Sequence, residues 1–227
     1  DFQQRYLELP AEQIFSIWYS IHKRIDYSNS MWQPKVLSYV FSLAPAAELP
    51  AADEDGLLHV LRVLLLSLIY FYNSGDTLSE ADKQILVYFS LLHDLGRTSE
   101  DCDDDHGDAS VAMIHARGIR VKGIRLSAKE YRIAELMIRL HCRDDQVGFD
   151  TIQAAPSLSK EDKERTCHLY RICKDMDGLD RVRFNGLDYR MLWTEYGRRL
   201  PLVAGCLLEE SLLEAIDSEL KIQRDSM

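Results

Sequence analysis

SEADKQILVYFSLLHDLG, residues 79–96, has the pattern of a buried helix that ends in a histidine and an aspartate. Ser79 is a residue type that caps helix N-termini, and the apolar residues after it recur at helical spacing. Gly96 is typical of a helix end. We therefore predict a helix that begins at Ser79, ends near Gly96 and carries the adjacent His93 and Asp94 on its last turn.

The same helical periodicity continues along most of the chain. No stretch alternates apolar and polar residues between tight turns, as a strand would. In one further helix Ser127 and Glu130 form a predicted capping box, and another helix ends at Gly118. The fold is therefore predicted to be all-α, with loops at 143–158 and 183–188. The predicted helices other than 79–96 are 10–25, 33–44, 55–73, 108–118, 127–142, 159–180 and 202–223.

The length of the chain predicts a single domain. A chain of 227 residues can bury a sizeable core, and neither predicted loop has the composition of an interdomain linker. We expect one helical bundle with its core in residues 54–192. Residues 1–53 are expected to form an N-terminal helical extension that packs on this core, and residues 193–227 a C-terminal helix that completes the bundle.

Charge, hydropathy and cysteine usage limit the partners and the compartment. The formal net charge of −10 opposes a surface that coats nucleic acid, so bulk nucleic-acid binding is not expected. The longest apolar stretch, 57–72, contains His59 and Arg62 and is shorter than the roughly 20 residues of a membrane-spanning helix, so no membrane partner is expected. Five cysteines without CxxC spacing favour reduced thiols in the cytoplasm, or in the host cytosol for a secreted effector.

Four residues suggest a metal site: His59, His93, Asp94 and Asp177. A single histidine in an apolar helix is more often a core residue than a ligand. Asp94, however, lies among leucines, and burying an unpaired carboxylate there would cost several kcal/mol unless a cation or hydrogen bonds met it. A divalent cation meets that need. A set of imidazoles and carboxylates without a thiolate favours manganese, iron, nickel or magnesium over structural zinc.

Four motifs in this order resemble the HD-domain phosphohydrolase superfamily, whose metal-binding set is H…HD…D on separate helices. They are DGLLHVLRV at 55–63, LLHDLGR at 91–97, DDHGDAS at 104–110 and KDMDGLDRVRF at 174–184. The resemblance covers roughly residues 54–192 and implies an HD-like helical bundle. It also implies that His59, His93, Asp94 and Asp177 bind the metal. The KDMDGLDRVR stretch is also similar, more faintly, to the phosphodiesterase domain of SidE-type bacterial effectors, which implies a site without an essential metal.

The resemblance implies further site residues and contains one departure. His141 lies where relatives often carry a histidine in the pocket, and Asp55 stands where the family branch has a histidine four residues before His59. Asp55 would project from the same helix face as His59. It is either a catalytic or metal-binding residue in its own right, a charge that favours the helix N-terminus, or a sign of altered or lost activity.

The acidic stretch behind Asp94 supplies candidate proton-transfer groups. If a metal is bound, Glu100 and His106 could act as general acid and base or as ligands of a second ion, although a solvated loop is the simpler reading for several of the acids. A phosphorylated substrate is itself negative and needs cations. The candidate phosphate-binding residues are Arg62, Arg97, Lys174 and Arg181.

These observations lead to three hypotheses. The first is a metal-dependent phosphohydrolase that acts on a small, nucleotide-like phosphorylated substrate or a phosphodiester, with water activated by the metal as the nucleophile. The second is a SidE-like phosphodiesterase that needs no metal. The third is a degenerate HD module that binds a nucleotide or a protein partner.

Overall fold

The computed structural model of the protein describes residues 54–97, 104–121, 123–184 and 186–207. These residues form α-helices and short 3-10 segments with no strand among them, so the predicted all-α fold is confirmed. The helices predicted at 10–25 and 33–44, and most of the one at 202–223, lie outside the described residues. The helices are α1 (Glu54–Asn73), α2 (Glu80–Leu92), α3 (His106–Arg117), α4 (Ala128–Leu140), α5 (Asp145–Ala154), α6 (Lys160–Leu179) and α7 (Pro201–Leu207). The 3-10 segments are Asp180–Phe184, Tyr189–Met191 and Gly197–Arg199.

The capping predictions are confirmed. The side chain of Ser79 accepts a hydrogen bond from the backbone of Asp82, whose carboxylate receives the Ser79 N–H in return. Ser127 and Glu130 form the same reciprocal box at the start of α4. Gly118 ends α3 with φ of 61°, a left-handed conformation that glycine adopts at little cost.

The end of α2 and the segment 143–158 differ from the prediction in ways that affect the site. α2 ends at Leu92, and residues 93–96 form turns, so His93 and Asp94 lie just beyond the helix. The loop predicted at 143–158 is wrong, because α5 occupies most of it and the side chain of Asp144 caps its N-terminus. Gly148 is a packing residue in this helix, since a Cβ there would lie 2.3 Å from the Tyr170 hydroxyl oxygen.

α2 is the central helix of the bundle. Its residues from Gln84 to Leu92 are all buried, and α1, α4 and α6 pack around it. A helix that is apolar on all sides belongs in the interior. Each large side chain buried here, such as Ile85 or Phe89, contributes roughly 1.5–3 kcal/mol of transfer free energy. This core fixes the helix ends that carry the polar residues described below.

No described helix is both long enough and apolar enough to cross a bilayer.

Candidate metal centre

The four predicted metal ligands meet at one end of the bundle. His59 comes from the start of α1, His93 and Asp94 from the turn after α2, and Asp177 from the last turn of α6. His59 Nε2 lies 3.0 Å from His93 Nε2, 3.4 Å from Asp94 Oδ2 and 3.3 Å from Asp177 Oδ1. His93 Nε2 lies 3.7 Å from the nearest carboxylate oxygens of both aspartates. Residues far apart in the sequence thus present nitrogen and oxygen donors to one small volume.

The second nitrogen of each imidazole determines what this volume can hold. His59 Nδ1 lies 2.8 Å from Asp180 Oδ2, and His93 Nδ1 lies 3.2 Å from the Ser90 carbonyl oxygen. Both partners accept hydrogen bonds, so each Nδ1 is assigned the hydrogen and each neutral Nε2 then carries a lone pair. Two lone pairs 3.0 Å apart, beside two carboxylates, repel one another. A proton or a cation between them removes the repulsion, and the donor set therefore fits a metal ion.

A second group of donors lies on the other side of Asp94. His106 Nε2 and His141 Nε2 are 2.9 Å apart, and they lie 3.2 Å and 3.1 Å from Asp94 Oδ1. His141 Nδ1 faces the Ile138 carbonyl oxygen at 2.7 Å, which directs the lone pair of its Nε2 toward this group. One oxygen of Asp94 thus faces His59, and the other faces His106 and His141. The arrangement suits two ions that share the Asp94 carboxylate.

Two glycines permit the helix ends to approach this closely. A Cβ on Gly107 would lie 2.3 Å from the Ile138 carbonyl oxygen, so glycine lets the start of α3 lie against the end of α4. A Cβ on Gly96 would lie 2.3 Å from the Ser110 backbone nitrogen. Ser110 Oγ in turn accepts the Gly96 N–H at 2.8 Å and donates to the His93 carbonyl at 2.7 Å. The HDLG segment (residues 93–96) and the HGDAS segment (residues 106–110) therefore pack against each other and are joined by hydrogen bonds.

Asp180 is a site residue that the sequence analysis missed. It is 1% exposed and orients His59. Arg62 binds both of its oxygens, and Arg183 lies 3.3 Å from Oδ2. A carboxylate that fixes the tautomer of a ligating histidine is a common partner of metal ligands. The available signal was the second aspartate of DGLD, one helical turn after Asp177.

Two predicted phosphate-binding residues require correction. Arg62 is 4% exposed, and Asp180 occupies its guanidinium, so Arg62 supports His59 instead of facing a substrate. Lys174 Nζ donates to the carbonyls of His141 and Arg143 at 2.8 and 3.1 Å, and it pairs with Asp145 at 2.8 Å. This ammonium ties the end of α4 to α6 and is not directed at a phosphate.

The remaining predicted residues lie at the edge of the centre, on the surface, or outside the side chains that the structure describes. Arg97 lies at the edge of the centre, where its NH1 is 3.2 Å from Asp94 Oδ2 and its side chain is 24% exposed. Arg181 is exposed on the 3-10 segment that follows α6. Asp55 belongs to the first turn of α1, but its side chain is outside the described part of the structure, as is the whole of Glu100.

The ionisation of the ion-free centre follows from burial and from these contacts. Burial by itself lowers the pKa of His59, but hydrogen bonds to Asp177 and Asp180 raise it to about 9. Burial lowers the pKa of His93 to about 4, although Asp94 opposes the shift. Burial favours the neutral form of Asp94, yet the surrounding histidines hold the pKa of this carboxyl well below its usual range. In the ion-free centre, a proton on His59 thus takes the place of a cation.

No family model, no curated protein and no solved structure matches the chain. The likeness to HD-domain enzymes therefore rests on the sequence motifs. The structure defines an all-α bundle whose groups of histidine, aspartate and cysteine side chains could hold a metal ion.

Proposed function

We propose that the protein is a metal-dependent phosphohydrolase of the HD type that acts on a phosphodiester or a nucleotide-like phosphate ester. The observation that carries this proposal is the convergence of His59, His93, Asp94 and Asp177 with imidazole lone pairs directed at one another. The order of these residues matches the H…HD…D set of the superfamily. Imidazole and carboxylate donors favour manganese, iron, nickel or magnesium for this position.

A divalent ion at such a site polarises a phosphoryl oxygen and acidifies bound water. The residues of the chain would bind the phosphate group of the substrate and orient it. Arg97 lies beside Asp94 with part of its side chain exposed, so its guanidinium is the best supported phosphate-binding group. Asp177 has 28% of its side chain exposed, which makes this edge the accessible side of an otherwise buried centre. A phosphate would therefore enter between Arg97 and Asp177.

Proton transfer is assigned to the histidines beside Asp94. His106 and His141 are within 3.2 Å of the same carboxylate oxygen, and a histidine oriented by a carboxylate is a common general acid or base. Where a second ion is bound, the two histidines would instead be its ligands. The number of ions per chain decides between these two roles.

The experiment combines elemental analysis with turnover. Protein purified without chelator is expected to contain a divalent ion and to hydrolyse bis-p-nitrophenyl phosphate with manganese added. Asp94→Ala and His93→Ala should lose the ion, the activity and the stability that ion binding adds to the native state. Asp150→Ala, which removes an exposed carboxylate on α5, is the matched control and should retain all three.

Two results would contradict the proposal. If both Asp94→Ala and His93→Ala keep the wild-type ion content and melting temperature, the pair is structural. If the ion-loaded protein binds nucleotides or a partner but turns over no phosphodiester or nucleotide, the function is that of a binding module.

A further inference from the structure

Cys142 lies beside the second group of donors, where the sequence analysis expected no thiolate. His106, His141 and Cys142 each offer a ligand atom, and these three atoms lie within 4.8 Å of one another. Both histidines are buried and Cys142 is partly exposed. Cys142 directly follows His141, at the point where α4 ends and the chain turns toward α5. The sulfur is thus held beside the imidazoles by its position at this helix end.

We propose that His106, His141 and Cys142 form a thiolate-containing metal site that selects zinc. This inference extends the proposed centre, because the two histidines and Asp94 belong to both, but it does not depend on hydrolytic activity. Neutral imidazole and thiolate are the donor pair that Zn²⁺ favours, whereas Mg²⁺ and Mn²⁺ favour oxygen. The centre would then hold two different ions, with a softer ion on the cysteine side of Asp94.

The distances are compatible with a tetrahedral ion. With a metal about 2.0 Å from nitrogen and about 2.3 Å from sulfur, neighbouring donor atoms lie about 3.5 Å apart. The two Nε2 atoms are 2.9 Å apart, and Asp94 Oδ1 lies 3.1 Å from His141 Nε2, so Asp94 can supply a fourth donor. The donor atoms of the three-residue group are already within 4.8 Å, so none of their separations needs to shorten by more than about 1.3 Å for a metal to bind.

The Cys142 thiol must lose its proton when a metal binds, and the metal has to supply the driving force. The thiol now donates to the Asp104 carbonyl oxygen at 3.1 Å, and this contact is given up when the metal–sulfur bond forms and the proton passes to solvent. Burial raises the pKa of the Cys142 thiol, and the backbone N–H of Gly107, in the first turn of α3, opposes this shift only in part. A bound cation completes the ionisation, because a coordinating thiol is deprotonated.

Cobalt substitution tests the site through the sulfur. Ion-free protein is titrated with Co²⁺ and followed by absorption, since a cobalt–thiolate bond gives an intense charge-transfer band in the near ultraviolet that nitrogen and oxygen ligands do not give. The wild type is expected to show this band and to release its proton on binding. Cys142→Ser should lose the band while keeping the weaker visible bands of cobalt held by histidine and carboxylate.

Cys167→Ser is the matched control, because Cys167 lies on α6 and its sulfur accepts a hydrogen bond from Gln153. This variant should behave as the wild type does. A competition between Zn²⁺ and Mn²⁺ should show a zinc preference that falls at least about tenfold in Cys142→Ser, since losing even a partner of a ligand costs that much and Cys142 is a ligand itself.

The outcomes separate this inference from the proposed function. Cobalt bound without a charge-transfer band, or with the same band in Cys142→Ser, overturns the thiolate site and leaves the His59 and His93 position intact. A wild type that binds no cobalt at all overturns both proposals. A band that persists in Asp94→Ala would place the site on His106, His141 and Cys142 alone and would support the inference.

Discussion

The proton on His59 makes a quantitative prediction about ion binding. An ion at the first position binds the lone pair of His59 Nε2, so it must displace the proton that the ion-free centre holds there with a pKa of about 9. His93, with a pKa lowered to about 4, is already neutral at neutral pH and releases nothing. Asp94 is already ionised, because the neighbouring histidines hold its pKa well below the usual range. One proton per ion should therefore come from this group.

The size of this effect on ion affinity follows from the difference between the working pH and the pKa of His59. About two pH units below it, displacing the proton weakens ion binding by roughly a hundredfold, or about 3 kcal/mol. The affinity for the ion should therefore fall as the pH falls below about 9, and it should level off above that pH. Each pH unit in the sloping region should change the dissociation constant roughly tenfold.

The assay is calorimetric titration of ion-free protein with Mn²⁺ in pairs of buffers that differ in their enthalpy of ionisation. The difference in apparent enthalpy gives the number of protons released. About one proton should be released near neutral pH, and far less above the pKa of His59. Since Cys142→Ser removes the other proton that an ion displaces in our scheme, the measurement is best made on this variant as well. An affinity that does not vary with pH, without proton release, would refute the reasoning about His59.

Four further predictions concern stability, packing and activity. Without a metal, the free energy of unfolding should be largest near pH 6.5. The contribution of His59 is lost as the pH rises toward its folded-state pKa of about 9, and that of His93 is lost as the pH falls toward about 4. Melting temperatures measured across this range test the prediction. Gly107→Ala should lower the melting temperature and separate the two histidines beside Asp94, because its Cβ would lie 2.3 Å from a backbone carbonyl oxygen; an unchanged melting curve would contradict this packing. Asp180→Asn should weaken ion binding by roughly 10- to 100-fold, as expected for a partner of a ligating histidine, and titration with the ion measures it. Asp55→His should raise turnover of phosphodiesters at equal metal loading if the family's histidine transfers a proton; a variant that is silenced instead would show that Asp55 is the working residue.

Helix ends could be predicted from sequence where a side chain makes a local hydrogen bond. Ser79 and Ser127 each bond to a backbone group three residues away, and Gly118 needs no partner to adopt its left-handed conformation. These interactions lie within one helical turn, so the helix ends that they define can be predicted without knowledge of the fold. The loop prediction at 143–158 is wrong although Asp144 could have indicated a helix N-terminus, because Gly148 in the middle of the segment has no visible role in the sequence. Its role becomes visible once Tyr170 is known to pack against it.

The same distinction applies to the site. His93 and Asp94 can be proposed from the sequence because a carboxylate beside leucines has few physical explanations, and the motif order supports His59 and Asp177 as their partners. The role of Asp180 was not predictable in this way, since its partners His59 and Arg62 lie 121 and 118 residues away in the chain. The sequence predicts a phosphate-binding role for Arg62 because its actual partner, Asp180, is equally distant in the chain. A buried arginine and an accessible one look alike in the sequence, and the fold decides which of them meets an aspartate.

Burial of Asp94 first suggested a cation, but the structure shows that burial alone does not require a metal. A proton on His59 Nε2 and a hydrogen bond from His106 can satisfy the carboxylate without a metal. The far side of the imidazoles is more informative, because Asp180 and the backbone carbonyls of Ser90 and Ile138 hold the hydrogens on Nδ1 there. Core histidines that served packing alone would have no need to direct the Nε2 atoms of His59, His93 and His141 toward one carboxylate. The unprotonated imidazoles would repel one another in this orientation, and a bound cation would replace the proton on His59 and convert that repulsion into coordination.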